Sequence, residues 1–209
     1  MTESIYGNCG RYLPLILEDL ETKLSACLET EKERSGRKLY EHLEGRVKSE
    51  KSMMEKCVRK NLPQNPESAL RKIHDAIGIR MVTGFVDDIY LCAGWIRNLP
   101  GCRVISEKDY IRNAKKNGYR SYHILLETEV PWPDIEGRTP GQFYAEVQIR
   151  TIAMDSWASL EHRLHYKKNI ANAELITAEL KRCADELAAC DLSMQTIRKL
   201  IEESAEEER

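Results

Sequence analysis

No stretch of this chain stays apolar for long: the longest run free of polar side chains is the eight residues from Ile89 to Ile96, whereas a helix crossing a bilayer needs roughly 20. No membrane span is expected. The opening segment holds Glu3 and has no Lys or Arg before Arg11, so it lacks the basic start and apolar middle of a secretory leader, and the expected compartment is the cytoplasm. The seven cysteines (Cys9, Cys27, Cys57, Cys92, Cys102, Cys183 and Cys190) include no C-x-x-C pair. An odd, scattered set of this kind predicts neither a disulfide framework nor a zinc site, and reads as reduced thiols that mostly serve packing. No G-x-x-x-x-G-K-[ST] segment occurs, which excludes an ordinary P-loop kinase. Internal repeats are missing too, and the only biased tract is a short acidic tail.

What is present is enough apolar material for one sizeable core, 42% of 209 residues, with a net charge of −2. That balance argues against a general nucleic-acid binder, but the charges are unevenly placed. Residues 31–60 hold ten Lys/Arg against six acids, residues 103–123 hold six against two, and five Glu follow Ile201. Two local basic clusters suit a small polyanion such as a nucleotide.

Leu13, Leu17, Leu20, Leu24 and Leu28 recur at steps of three and four, which predicts an amphipathic helix over 11–30. A second helix is expected over Ser49–Lys60, ending before Pro63 and Pro66, so that the N-terminal third reads as helical. Ile73–Thr83 reads as a buried strand bounded by Gly84, residues 86–98 as a helix, and Cys102–Ser106, Tyr119–Val130 and Gln142–Thr151 as strands. Helical spacing returns over Ile152–Tyr166 and Asn172–Glu208, with the acidic end expected to fray. The predicted class is α+β. The last helix carries more apolar side chains than a free helix should, and it is expected to pack on the body or on another subunit.

Two segments carry the chemistry. Strict alternation along Gln142–Arg150 puts Phe143, Ala145, Val147 and Ile149 on one face and Glu146, Gln148 and Arg150 on the other, as a strand buried on one side requires. Such a polar row is either a water-facing sheet surface or the lining of a cleft in which a carboxylate holds a metal and its neighbours orient phosphates. In the second segment, Asn117-Gly118 makes a turn that delivers Tyr119 and His123 to a strand amid Lys108, Arg112, Lys115, Lys116 and Arg120. A bland loop is the commoner meaning of such a turn, but aromatics among cations also suit a nucleotide base.

Taken together, Lys108-Asp-Tyr-Ile-x-Asn-x-Lys-x-Asn-Gly-Tyr-Arg-Ser-x-His123, Glu146-Val-Gln-Ile-Arg-Thr151 and Trp157-Ala-x-Leu-Glu-His162 closely resemble the synthetase domain of the RelA/SpoT family, over about Arg46 to Lys168. The chain looks like the single-domain small alarmone synthetases, with no hydrolase domain. The resemblance implies a mixed sheet of about five strands flanked by helices, nucleotidyltransferase-like. It divides the chain into a helical segment (1–45), the synthetase domain (46–168) and a helical extension with an acidic tail (169–209). The implied activity is transfer of pyrophosphate from ATP to the ribose 3′-hydroxyl of GDP, GTP or GMP, making the stringent-response alarmones and AMP.

By the same resemblance, Arg46, Lys48, Ser52, Lys56, Arg59 and Arg80 bind ATP. Lys48, Lys56 and Arg59 hold its phosphates, and Arg46 and Arg80 sandwich the adenine, a role that suits a flat cation. Asp75 and Glu146 match magnesium ligands, and Glu146 also matches the base for the acceptor hydroxyl. Tyr119 matches the guanine-stacking ring, His123 a position near the transferred group, and Lys115, Lys116, Asn117, Gln148 and Arg150 the rest of the acceptor site. The loop departs from the family at Ala114 and Lys116, where prolines are commoner. The resembling enzymes form homotetramers, and neither a membrane nor a stable nucleic-acid partner is implied.

Two other signals carry less. His74-Asp75 is the dipeptide of metal-dependent phosphohydrolases, whose further ligands have no domain to come from ahead of residue 74. His162 and His165 stand three apart on a predicted helix, where a structural role, with His162 bonded locally and His165 exposed, is the commoner meaning than a metal site. Rival functions are a toxin-like relative that modifies the 3′ end of tRNA and an inert alarmone sensor. Two metal-ligand acids kept together with Tyr119 and a basic helix disfavour the inert sensor.

Overall fold

The computed structural model describes residues 4–165 and 172–207, apart from the side chains of His165 and Glu206. Its centre is a five-stranded sheet in the order β1-β2-β5-β4-β3, formed by β1 (His42–Val47), β2 (Ile77–Thr83), β3 (Cys102–Asp109), β4 (Tyr122–Val130) and β5 (Gly141–Thr151). β2 and β5 pair in parallel, and the remaining pairs are antiparallel. The last strand in the chain is therefore the middle strand of the sheet. Around it lie α1 (Leu13–Ser35), α2 (Glu50–Arg59), α3 (Val86–Ile96), α4 (Ile152–His165) and α5 (Ala173–Glu207). The α+β class and the five-stranded mixed sheet are as expected from sequence.

One face of the sheet is the core. Ile77, Ile79 and Met81 of β2, Ala145, Val147 and Ile149 of β5, and Ile124 and Leu126 of β4 are at most 1% exposed, and α1 and α3 cover them. The α1 stripe is folded onto this body: Leu13, Ile16, Leu20 and Leu24 are at most 1% exposed, each contributing about 1.5–3 kcal/mol of burial. α1 lies so close over the edge strand that a β-carbon on Gly45 would sit 2.4 Å from Leu17 Cδ1, so a larger residue there would make the Leu17 side chain move.

Several sequence-based expectations need correction. The N-terminal third is not all helical, because His42–Val47 forms the β1 edge strand on β2. β2 begins at Ile77 instead of Ile73, since Ser68–Lys72 forms a short wide helical turn and His74-Asp75 remains in the link that follows. β3 runs on to Asp109, its polar end held by pairing with β4, and β4 begins at Tyr122, three residues after Tyr119. The acidic tail stays helical as far as Glu207.

The helix ends and surface thiols add detail. Ser49 caps α2 by accepting from the Ser52 N–H at 3.3 Å, a cap worth about 1 kcal/mol. Cys9, Cys57 and Cys92 are buried, but Cys183 and Cys190 are exposed on α5, so these two do not serve packing. The expected local bond of His162 is not seen, as its side chain is exposed, and the side chain of His165 lies outside the described residues. Unlike α1, α5 leaves Leu175, Leu192, Met194, Ile197, Leu200 and Ile201 between 51% and 64% exposed.

Candidate functional site

The uncovered face of the sheet is polar where β2, β5 and β4 meet. The period-two alternation turns Gly78 and Arg80, Glu146 and Gln148, and His123 and Leu125 to this side, and all six are partly exposed. Register brings them together, with Gly78 opposite Glu146, Arg80 opposite Gln148, and His123 opposite Gln148 on the far side. Two clefts open here. The first is lined by Glu44, Arg46, Lys48, Arg80 and Gln148 among others. The second is lined by Lys56, Lys60, Lys72, His74, Lys108 and His123 among others. Asp75 and Glu146 line both.

Asp75 comes from the link before β2, and Lys48 and Lys56 converge on its Oδ2. Burial alone would raise this carboxyl, but the two ammonium groups hold it below its ordinary value. Burial pushes the Lys48 ammonium down, against the pull of the same acid. Asp75 Oδ1 is buried with no hydrogen-bond partner, and an orphaned carboxylate oxygen in a cleft is a donor suited to a hard cation. Among the described residues no group of three or more His, Cys, Asp or Glu is placed to hold a metal. A cation here would draw on one or two carboxylates and complete its shell with phosphate oxygens or water, which is the habit of magnesium.

Glu146 sits within a closed ring of hydrogen bonds. Its Oε1 meets His123 Nδ1 at 3.2 Å, and its Oε2 accepts from Gln148 Nε2 at 2.6 Å. Burial would raise Glu146, but the bonds from His123 and Gln148 hold it down at about 2. With the carboxylate ionised, Nδ1–H donates to it and Nε2 is left to meet the Tyr119 hydroxyl at 2.8 Å. Arg150 closes the ring, donating to the Tyr119 oxygen at 2.9 Å and to Gln148 Oε1 at 2.7 Å.

Tyr119 stands on the loop before β4. That loop turns through Gly118 at φ 92°, a left-handed value natural to glycine. It is docked on α5, where Arg120 reaches the Ala184 carbonyl at 3.2 Å and Asp185 at 3.0 Å. The Lys115 ammonium lies 4.4 Å from the Tyr119 ring centroid. Asn117 accepts from the Tyr119 N–H at 3.2 Å and donates to Glu161 at 3.3 Å.

The residues singled out from sequence therefore fall into three groups. Asp75, Glu146, Lys48, Lys56, Arg46, Arg80, Gln148 and His123 line the clefts, and Tyr119, Asn117 and Lys115 gather beside them. Arg150 belongs to the polar row by spacing but is only 5% exposed, so it works from beneath, through Tyr119 and Gln148. Ser52, Arg59 and Lys116 are exposed and line neither cleft, and the Ser52 backbone N–H is already taken by Ser49. Sequence reasoning missed Glu44 in the first cleft and Lys60 and Lys72 in the second, and it set His74 aside. Lys60 had been visible only as one more charge of a basic cluster.

Residues 45–171 match the family described as a region found in RelA and SpoT proteins. GTP pyrophosphokinase YwaC of Bacillus subtilis (strain 168) is 37% identical over 186 residues, covering 89% of this chain and 87% of its own. The small alarmone synthetase 1 of Bacillus subtilis, solved bound to its product pppGpp, superposes with a TM-score of 0.79 at 30% identity, over 90% of this chain and 94% of that one. The same enzyme bound to AMPCPP gives a TM-score of 0.73 at 28% identity, over 91% and 94%. The five-stranded sheet, the Lys108–His123 loop and the Glu146–Thr151 strand thus lead to one conclusion: this chain belongs to the RelA/SpoT family.

Proposed function

We propose that this chain is a guanosine 3′-pyrophosphokinase, which transfers the β,γ-pyrophosphate of ATP to the 3′-hydroxyl of GDP or GTP and releases AMP. The observation that carries this reading is the pair of clefts, each bearing Lys or Arg side chains, that share one wall, Asp75 and Glu146. Transfer between two nucleotides needs two anion sites meeting at a single acidic centre. YwaC is named for this activity, and the structural relative holds pppGpp.

The first cleft is the ATP side. Arg46 and Arg80 offer flat cationic faces to adenine, and Lys48, with Lys56 reaching across Asp75 from the second cleft, exchanges that acid for phosphate oxygens when the nucleotide arrives. Ser52 and Arg59 need a side-chain movement to join them. In the second cleft, Lys60, Lys72 and Lys108 face the 5′-phosphates of the acceptor, while Tyr119 stacks its base and Lys115, Lys116 and Asn117 border it. Asp75 and Glu146 would hold Mg2+, which when bound neutralises charge on the transferred group.

The acceptor 3′-oxygen attacks the β-phosphorus in line, a new O–P bond forms, and the bridge to the α-phosphorus breaks, leaving its electrons on AMP. Glu146 takes the hydroxyl proton and passes it to water. A carboxylate held near 2 is a weak base, yet it is adequate where the transition state is loose and positioning supplies most of the rate. The protein works in the cytoplasm, and among the described residues no helix is long and apolar enough to cross a membrane. The apolar side chains left bare on α5, and not those of α1, are the surface on which it assembles as a homotetramer. Light scattering that returns one chain's mass, 24.1 kDa, would reject that assembly.

The deciding experiment incubates the purified protein with Mg2+, γ-labelled ATP and GDP. Label should move to the guanine nucleotide in step with AMP. Label on tRNA alone would replace the acceptor assignment. Nucleotide binding without transfer would leave an inert sensor.

A further inference from the structure

Asp155 lies in the first turn of α4, where an acid ordinarily does no more than complement the helix dipole. Here it is enclosed between two arginines of different strands. Its Oδ1 accepts from Arg150 NH1 at 2.9 Å and pairs with Arg80 Nε at 3.3 Å. Its side chain is 16% exposed, against 33% for Arg80 and 6% for Arg150. One carboxylate oxygen thus serves both cations.

The two arginines face different ways. Arg80 lines the first cleft. Arg150 lies under Tyr119, with its guanidinium carbon 5.3 Å from the ring centroid and one nitrogen on the hydroxyl. A flat guanidinium is held by where its hydrogen bonds go, so Asp155 fixes the plane of Arg150, while it holds Arg80, whose Nε makes no hydrogen bond, by charge alone. A nucleotide that pulls Arg80 towards itself changes the charge Arg80 shares with Asp155, and the free carboxylate lone pairs then go to Arg150. The ring that seats Tyr119 tightens as a result.

We infer that Asp155 is a positioning residue that couples the two nucleotide clefts, so that filling the ATP side strengthens binding on the acceptor side, and the reverse. This rests on the two-cleft reading proposed above. Linkage makes the effect reciprocal. It favours the doubly occupied enzyme without a moving domain, because either nucleotide bound alone is held less firmly than beside the other.

The test is a set of calorimetric titrations on the full chain with Mg2+ present. The probes are GDP and an ATP analogue with a methylene group between the α- and β-phosphorus, each titrated alone and then in the presence of the other at saturation. In the unaltered protein each ligand should tighten the other by about fivefold or more. In Asp155→Asn that factor should fall to about one while each nucleotide still binds alone. Asp155→Glu, which keeps the charge, should restore part of it. A factor unchanged in a folded Asp155→Asn protein overturns the inference, as does an unaltered protein that binds both ligands independently. If both variants unfold, Asp155 is a structural residue and the coupling role is lost. If the unaltered protein binds only one of the two ligands, the two-cleft reading fails first, and the inference falls with it.

Discussion

Gly118 and Ala184 are set so close that a β-carbon built on the glycine would stand 2.6 Å from that of the alanine, and 3.3 Å from the Lys181 backbone. The Tyr119 loop therefore rests on α5 both through a residue that has no side chain and through Arg120. Gly118→Ala meets both this contact and a φ of 92°, a backbone penalty of about 1–3 kcal/mol before α5 moves at all. We expect a lower melting temperature and a raised KM for GDP with the KM for ATP little changed. Equal losses for both nucleotides would show that α5 supports the whole site instead of this loop.

Glu146→Gln keeps the shape of the side chain and removes its charge from the His123–Gln148 ring. Turnover should drop at least ~10²-fold, with circular dichroism and melting temperature near those of the parent. Asp75→Asn should do the same, since it removes the acid on which Lys48 and Lys56 converge. Substantial pyrophosphate transfer by a well-folded Glu146→Gln protein would remove the residue from its assigned role.

Tyr119 has a ring and a hydroxyl with separable tasks. Tyr119→Ala loses the stacking surface, worth roughly 1–3 kcal/mol, and should raise the KM for GDP about 5- to 150-fold while ATP binding stays within reach of normal. Tyr119→Phe keeps the ring but breaks the bonds to His123 and Arg150. It should lower kcat more than it raises KM. Steady-state kinetics in which the two substitutions behave alike would deny the hydroxyl any separate part.

Asp134, 5% exposed, is the hub of the proline-rich loop before β5. It accepts from Arg71, from Arg138 and from the backbone N–H of Glu136, Arg138 and Gln142. Burial pushes its carboxyl up, yet these donors outweigh that and bring it from 3.8 down to about 2. A carboxyl depressed in the folded state stabilises it above the unfolded value, so about 2 kcal/mol should be present at neutral pH and fade as pH falls from about 4 towards 2. Asp134→Ala should cost about 3–5 kcal/mol, because Arg71 loses its buried partner. Denaturant melts across that pH range would reveal both effects, and an Asp134→Ala melt that parallels the parent throughout would contradict them.

The legible parts of this fold were those where apolar spacing and backbone element agree. The alternation of Phe143 to Ile149 and the leucine steps of α1 each dictate both an element and its buried face. His42–Val47 was not legible, because only Leu43 and Val47 are apolar and Gly45 weakens the pattern. Its strand state comes from ladder bonds to β2, which are invisible locally. The end of β3, Glu107–Asp109, owes its extension to β4 in the same way. Within the site, Glu146, Asp75 and Tyr119 were recognisable from motifs, whereas Lys72 and Asp155 look like ordinary surface charges until the sheet brings their neighbours near. Arg150 was assigned to an open polar row by parity alone, which does not register that the Tyr119 loop and α4 close over it.

The central place of β5 also bears on how the enzyme comes into being. Gly78 and Glu146 are neighbours across a parallel pair, yet α3, β3 and β4 must all be made between them. Such distant closure is slow compared with helix or hairpin formation. A nascent chain emerging as far as β4 already has Asp75 and the lysines around it, but no partner acid and a sheet open at its centre. Transfer activity is then expected only once the last strand has slotted in, with none from a chain interrupted before it.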